Sequence, residues 1–344
     1  MYKIFAFLLL FAAQLKGQAF IFNQIFQPSM RLNMEHAPAL GGNFWGNSDK
    51  FGYTRANFNL IIPIKSKLGV KVDWLSAIDK LKNWRQLRLK DIGDVAKVKM
   101  YQIFWNIRPQ VFRPDYAPLD SLHFNPRPTE TSFGLSTGIT GLHLLRKFRI
   151  LFYSANISFM EDKNSIRQIN PNFTAAIGVA HINRVIYYWY YGAVISYNNG
   201  RIIPAPFFGI EANLMKKLWL NITLPLQMRL GWQMSKRTKF DFVTGLAGFS
   251  NGFGYQNPNS NDYLRSFYSG FQLRVSGVFN FKIGRQTKLY IEGGILPYRR
   301  LQLGKTADNF YKPALNPTFY GGVSLFYSFK KSLLGSVIDG LIAF

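Results

Sequence analysis

Segment after segment of this chain alternates apolar and polar residues with a period of two. After the first twenty residues, no stretch stays apolar for the ~18 residues a membrane helix needs. The clearest case is Ser269 to Lys282, where Phe271, Leu273, Val275, Phe279 and Phe281 oppose Gln272, Arg274, Ser276, Asn280 and Lys282. Adjacent strand residues point to opposite sides, so one side meets an apolar phase and the other a wet one. Leu151 to Phe159, Leu218 to Leu224, Leu226 to Gln233 and Val323 to Lys330 repeat the pattern. An exported soluble β-sandwich or barrel would alternate too, but its wet face is usually rich in Lys, Glu and Thr. Here that face carries Asn, Ser, Gln, Gly and a few Arg, and charge collects between the strands. Membrane strands fit this better.

The connections are of two kinds. Short basic ones are expected at Ile64 to Lys67, Arg146 to Arg149, Met215 to Lys217, Ser235 to Lys239 and Gly284 to Lys288. Longer ones, rich in Asn, Pro and Gly, are expected at Arg113 to Glu130, Asp162 to Asn172, Asn251 to Asp262 and Gly304 to Pro317. Tight turns at one end and long loops at the other describe an all-β, transmembrane, antiparallel up-and-down barrel, with periplasmic turns and extracellular loops. An aromatic girdle is expected from Tyr187, Trp189, Tyr191, Trp232, Tyr327 and Phe329. Membrane strands of ~9–11 residues plus connections need roughly 20–25 residues each, so the chain predicts about 14 strands, with 12 to 16 open. A first strand is expected within Gln27 to Glu35, and Leu81 to Lys99 holds either a strand pair or a long loop.

The N-terminus predicts export. Lys3, the apolar run Ile4 to Ala13, and small residues at Gly17 and Ala19 read as a signal peptide over 1–19. The barrel is then expected over 20–330. Apolar positions from Leu333 to Ile342 suggest a short amphipathic tail over 331–344. The net charge of +25, with 42 Lys and Arg against 17 Asp and Glu, would suit a nucleic-acid binder, but export argues against that partner. The absence of Cys excludes disulfides, thiolate metal sites and a cysteine nucleophile.

Ile202 to Gly252 runs strand, Met-Lys-Lys turn, alternating strand, Ser-Lys-Arg-Thr turn, strand. With Leu224-Pro225 and Arg229 in place, and a similar Asn59 to Ile64 strand end, this resembles an uncharacterised family of β-barrels of Bacteroidota-type outer membranes. The resemblance spans about 50 to 330. It implies a barrel in the bacterial outer membrane and brings no catalytic residues.

Chemistry is sparse. His36, His123, His143 and His181 form no zinc-protease spacing. Ser250-Asn251-Gly252 resembles a motif of outer-membrane phospholipases, but Gly248 stands where that motif has its histidine, so Ser250 lacks a base. No catalytic, cofactor or metal site is expected. The remaining lead is the wet strand face. If apolar faces meet lipid, Arg55, Asn57, Asn59, Asn156, Asn221, Gln227, Arg229, Gln272, Arg274 and Glu292 point into the lumen. Arginine exceeds acid in that set, and such rings favour anions. The alternative is that these arginines pair with neighbours and fill a closed lumen. The expected function is porin- or channel-like passage or binding of small anionic solutes; a structural or assembly component of an outer-membrane complex is the alternative. The expected partners are outer-membrane lipid and lipopolysaccharide, which the basic turns would contact.

Overall fold

The computed structural model describes residues 28–39, 51–72, 96–116, 130–145, 149–184, 187–198, 201–215, 217–256, 263–304, 310–311 and 314–329. The expected signal peptide, the expected tail, His123 and residues 81–95 lie outside them.

Sixteen strands follow one another: β1 Ser29–Ala37, β2 Phe51–Val72, β3 Ala96–Tyr116, β4 Ser132–Leu144, β5 Arg149–Glu161, β6 Asn172–Arg184, β7 Tyr187–Asn198 and β8 Arg201–Met215. Then come β9 Leu218–Leu224, β10 Gln227–Gln233, β11 Thr238–Gln256, β12 Tyr263–Lys282, β13 Thr287–Gly304, the two-residue β14 Phe310–Tyr311 and β15 Ala314–Leu315, and β16 Thr318–Ser328. Each long strand pairs antiparallel with the next. β16 bonds both β13 and β1, and β12 bonds β13, so fourteen strands close into a barrel. Closure gives every strand of the ring a partner on each side, as crossing a bilayer requires, although the pairing of β8 with β9 ends at Phe208.

The period-two pattern decides which face turns outward. Met34, Ile139, Ile157, Ile177, Ile195, Phe271 and Val323 are exposed on the outer wall. Their sequence neighbours are covered. Ala180, Asn221, Gln272 and Phe326 are all buried on the inner face. At the short-turn end, aromatic rings gather on the outside. His181 stacks on Trp189 with ring centroids 4.2 Å apart, and Tyr101 stacks on His143. Phe279 packs on Phe240 and Phe281. Tyr187, Trp189, Tyr191, Trp232, Tyr327 and Phe329 all sit within this end of their strands.

Three expected connections are strand instead. Ile64 to Lys67 lies inside β2. Pro63 has no N–H to donate, and the ladder shifts register between Pro63 and Lys65 rather than turning, so Lys65 faces Ile103. Arg113 to Tyr116 continues β3, paired with Phe51 to Thr54. Asn251 to Gln256 continues β11, paired with Tyr263 to Tyr268. The two connection types also mix. The β9–β10 turn, at the long-loop end, is only Pro225-Leu226, while 73–95 separates β2 from β3 at the other end.

The long-loop end is closed by opposing walls. β3 and β11 stand six strands apart by the shorter way round the ring. That is ~29 Å of wall at ~4.8 Å per strand. Yet the rings of Phe112 and Phe249 lie 4.8 Å apart. Phe51, Tyr53, Phe253, Tyr268, Leu301 and Leu303 join them in one buried cluster. β11 also crosses to β5, pairing Gly252 with Glu161. There the Glu161 carboxylate accepts from the Ser165 hydroxyl (2.7 Å) and from both Nε and Nη2 of Arg265 (3.0 and 2.8 Å). A side chain at position 252 would overlap that carboxylate, so only glycine fits.

Candidate functional site

Below the aromatic closure lies a polar layer. Glu35 on β1 accepts from the Tyr53 hydroxyl at 2.6 Å, Arg55 at 2.8 Å and Arg274 at 2.6 Å. Arg274 sits on β12, three strands away, so its guanidinium reaches Glu35 only through the interior. Gln272 reaches further and donates to Tyr53 at 2.7 Å. Glu292 accepts from Ser276 at 2.8 Å and Tyr320 at 2.6 Å, with Arg274 at 3.6 Å. Asn33 donates to Asn57 at 2.7 Å. Arg55 and Arg274 are therefore neutralised by two carboxylates, Glu35 on β1 and Glu292 on β13, with one charge-assisted bond from each arginine to Glu35.

Next to this layer is a cavity of about 640 Å³ against β2 to β10. Its polar wall includes Asn59, Asn106, Arg108, Asn156, Asn221 and Arg229. Its apolar wall includes Phe152, Val194, Phe207 and Trp219. Alternation puts these side chains on one face of their strands, and the antiparallel register brings Asn221 opposite Arg229. Among the described residues, no carboxylate stands within salt-bridge range of Arg108, Arg229 or the nearby Arg31. Arg31 donates to Ser324 at 3.3 Å and lies over the Tyr290 ring. It is within electrostatic reach of Arg229, Arg108 and Glu292, and Arg229 is within reach of Glu211 and Asp241. The Nε of Arg229 is buried with no hydrogen-bond partner.

The ten residues expected in the lumen thus fall into two sets. Asn59, Asn156, Asn221, Gln227 and Arg229 line the cavity. Arg55, Gln272, Arg274 and Glu292 belong to the Glu35 layer, and Asn57 bonds Asn33 beside it. Sequence reasoning passed over Arg31, Glu35, Asn106 and Arg108. The signal was present: Arg31, Asn33 and Glu35 alternate with Leu32, Met34 and His36, and Asn106 and Arg108 alternate with Trp105 and Ile107.

A second buried group closes the short-turn end of the cavity. Glu211 accepts from the Tyr188 hydroxyl at 2.5 Å and the Asn221 amide at 2.9 Å. Lys239 lies 3.5 Å from Asp241 and 3.7 Å from the centre of the Trp219 ring. Phe104, Leu142, Ile150 and Ala180 form an apolar cluster beside Tyr188.

Three described histidines face outward. His36 contacts the Thr54 hydroxyl at 2.9 Å, and His143 and His181 stack on aromatic rings. Ser250 donates to the Asn198 side chain at 3.0 Å. Among the described residues, no three His, Asp or Glu side chains gather as metal ligands.

Residues 164–330 match a family model described as a domain of unknown function (DUF6268). No curated protein matches the chain by sequence. Among solved structures, the chain is similar to the COG4313 outer membrane channel from Pseudomonas putida F1. That match has 8% identity and TM-score 0.39, covering 88% of this chain and 98% of that one. It is also similar to LpxR from Salmonella typhimurium, at 10% identity and TM-score 0.33, covering 87% of this chain and 100% of that one. A third likeness is to the transport unit of the autotransporter AIDA-I from Escherichia coli. It has 10% identity and TM-score 0.32, covering 93% of this chain and 97% of that one.

Proposed function

We propose that this chain is an outer-membrane barrel of Bacteroidota-type bacteria that takes small, partly apolar anions into its lumen and passes them through a gated mouth. One observation carries this reading: Arg108 and Arg229 line the 640 Å³ cavity with Arg31 near both, and among the described residues none of the three forms a direct ion pair, while Arg55 and Arg274 do. Unpaired guanidinium groups beside amide-bearing asparagines are suited to carboxylate, sulfate or phosphate. The apolar outer wall and its aromatic girdle support the membrane location. Export after cleavage behind Ala19 completes the reading, and N-terminal sequencing of the mature protein is expected to start at Phe20.

The aromatic closure makes a permanently open pore a poor description. Planar-bilayer recording is expected to find the protein mostly silent. Replacing Phe112 and Phe249 together by Ala removes the two rings that span the mouth, and is expected to give conductance steps with an anion-biased reversal potential. A folded double variant that stays silent, or one that passes cations preferentially, would overturn the reading. A second reading, an assembly component, draws on the β2–β3 hairpin. β2 runs on to Val72 although its pairing with β1 ends at Ile61, which leaves a two-stranded ribbon reaching past the barrel wall. Co-purification of a stoichiometric partner that is lost when 68–100, the part of the ribbon beyond the pairing with β4, is shortened would favour it.

A further inference from the structure

The barrel wall is not of even height. β9 and β10 have seven residues each, fewer than the ~9–11 a strand needs to cross a bilayer. Their neighbours are longer. Pairing of β8 with β9 stops at Phe208 and Leu224, and no described strand pairs with Arg201–Phe207 on that side. Pairing of β11 with β10 stops at Gly245 and Gln227, with a last bond from the Leu246 N–H to the Leu226 carbonyl. Beyond it, β11 leans inward to meet β5. A notch therefore opens in the wall above the β9–β10 turn, and it is bounded at its top where Ser250 of β11 donates to Asn198, the β7 partner of Arg201.

Two features place this notch in hydrocarbon rather than water. The turn at its base is Leu224-Pro225-Leu226, with Leu224 59% and Leu226 43% exposed. A turn at the aqueous interface would be polar. The β8 edge carries Pro204 and Pro206, facing Ile195 and Ala193 of β7. Proline cannot donate to a ladder, so its nitrogen faces away from the paired neighbour, toward the notch. Two backbone donors that lipid could not satisfy are thereby removed. The notch also meets the cavity, because Leu226, Val194 and Phe207 belong to the lining.

We propose that the notch is a lateral portal. Through it, a single-chain anionic amphiphile passes between the outer half of the bilayer and the cavity. The head group meets Arg108 and Arg229, and the tail lies along Phe152, Phe207 and Trp219. The cavity volume is that of an ordinary small-molecule pocket, and the mouth above it is shut to water by the aromatic cluster. The proposal rests on the anion-binding reading above and names both its ligand class and its route.

The test uses the full chain in lipid vesicles and heavy-atom quenching of Trp219, defined as the difference between the protein and its Trp219→Phe variant. A brominated octadecanoate is supplied already dissolved in the vesicles of the parent protein, and 6-bromohexanoate is supplied in the water to the variant carrying Phe112→Ala and Phe249→Ala, whose mouth lacks the two rings that span it. Both acids are expected to quench. Leu224→Lys, outside the cavity lining, puts a charge at the base of the notch, and Ala205→Phe narrows it from the β8 side. Each is expected to cut quenching by the membrane-borne acid at least threefold and leave that by the water-borne acid unchanged. Arg229→Gln is expected to weaken both. Wild-type quenching from the membrane in both notch variants overturns the portal and leaves anion binding standing. Failure of both acids to quench Trp219 where the notch is unaltered, with the mouth opened for the water-borne acid, removes the anion-binding reading, and the portal with it.

Discussion

Glu35 is the residue on which the interior charge balance turns. Replacing it by Gln keeps the shape and one acceptor oxygen but removes the charge that Arg55 and Arg274 share. Three short bonds are affected, from Tyr53, Arg55 and Arg274. The side chains of Glu35, Arg55 and Arg274 are 12%, 24% and 19% exposed, so lumen water recovers part of the loss. Breaking a fully buried pair costs roughly 3–5 kcal/mol, and a hydrogen bond to a charged group contributes roughly 1.5–3 kcal/mol. With partial access to water, the expected cost is about 2–3 kcal/mol. Urea unfolding in large vesicles, followed by tryptophan fluorescence, measures it. Arg274→Met and the double variant complete a cycle, with an expected coupling of about 1–2 kcal/mol. A Glu35→Gln variant within ~0.5 kcal/mol of the parent, with no coupling to Arg274, would show that the arginines are neutralised by something other than Glu35.

Gly252→Val drives a side chain into the Glu161 carboxylate and should separate β11 from β5. The expected outcome is a loss of about 1–3 kcal/mol, with a rise in conductance; an unchanged, silent barrel would count against the closure described. Ile177, midway along β6 and 56% exposed, faces the lipid. Ile177→Lys is expected to cost about 2–4 kcal/mol, and Phe133→Lys, at the long-loop rim of β4, about 0–1 kcal/mol; equal costs would contradict the placement of the bilayer. Tyr53→Phe deletes the hydroxyl that joins Glu35 to Gln272 and should cost about 1–2 kcal/mol in the same urea assay.

Much of the architecture can be read from local chemistry. A strand's side-chain period is two regardless of its partner, so Phe271 to Lys282 declares its two faces from residue types alone. Strand number follows from length, and the inward parity of Asn59, Asn221, Gln272 and Arg274 follows from the alternation. Turn positions are less legible, for a physical reason. Lys65 and Lys67 look like turn residues, but a strand continues wherever its neighbour offers a ladder, and β3 does so as far as Ala96. Asn251 to Gln256 reads as loop by composition, yet β12 lies alongside to pair with it.

The site divides in the same way. Sequence identifies Arg229 and Arg274 as inward cations of equal standing. The tertiary structure separates them, because Glu35 lies 2.6 Å from Arg274 across three strands while, among the described residues, no carboxylate forms a direct ion pair with Arg229. The closed mouth was beyond sequence reasoning, since Phe112 and Phe249 are 137 positions apart and alternation does not say which walls lean together. The notch lies between. The short β9–β10 hairpin, its Leu-Pro-Leu turn and the two prolines of β8 are all written in the sequence. That they sit at one gap in one wall is a matter of register. Alternation and composition are properties of single strands, and the sequence determines them without help. Charge pairing, closure and the opening to the membrane depend on which strands meet, and only the closed barrel decides that.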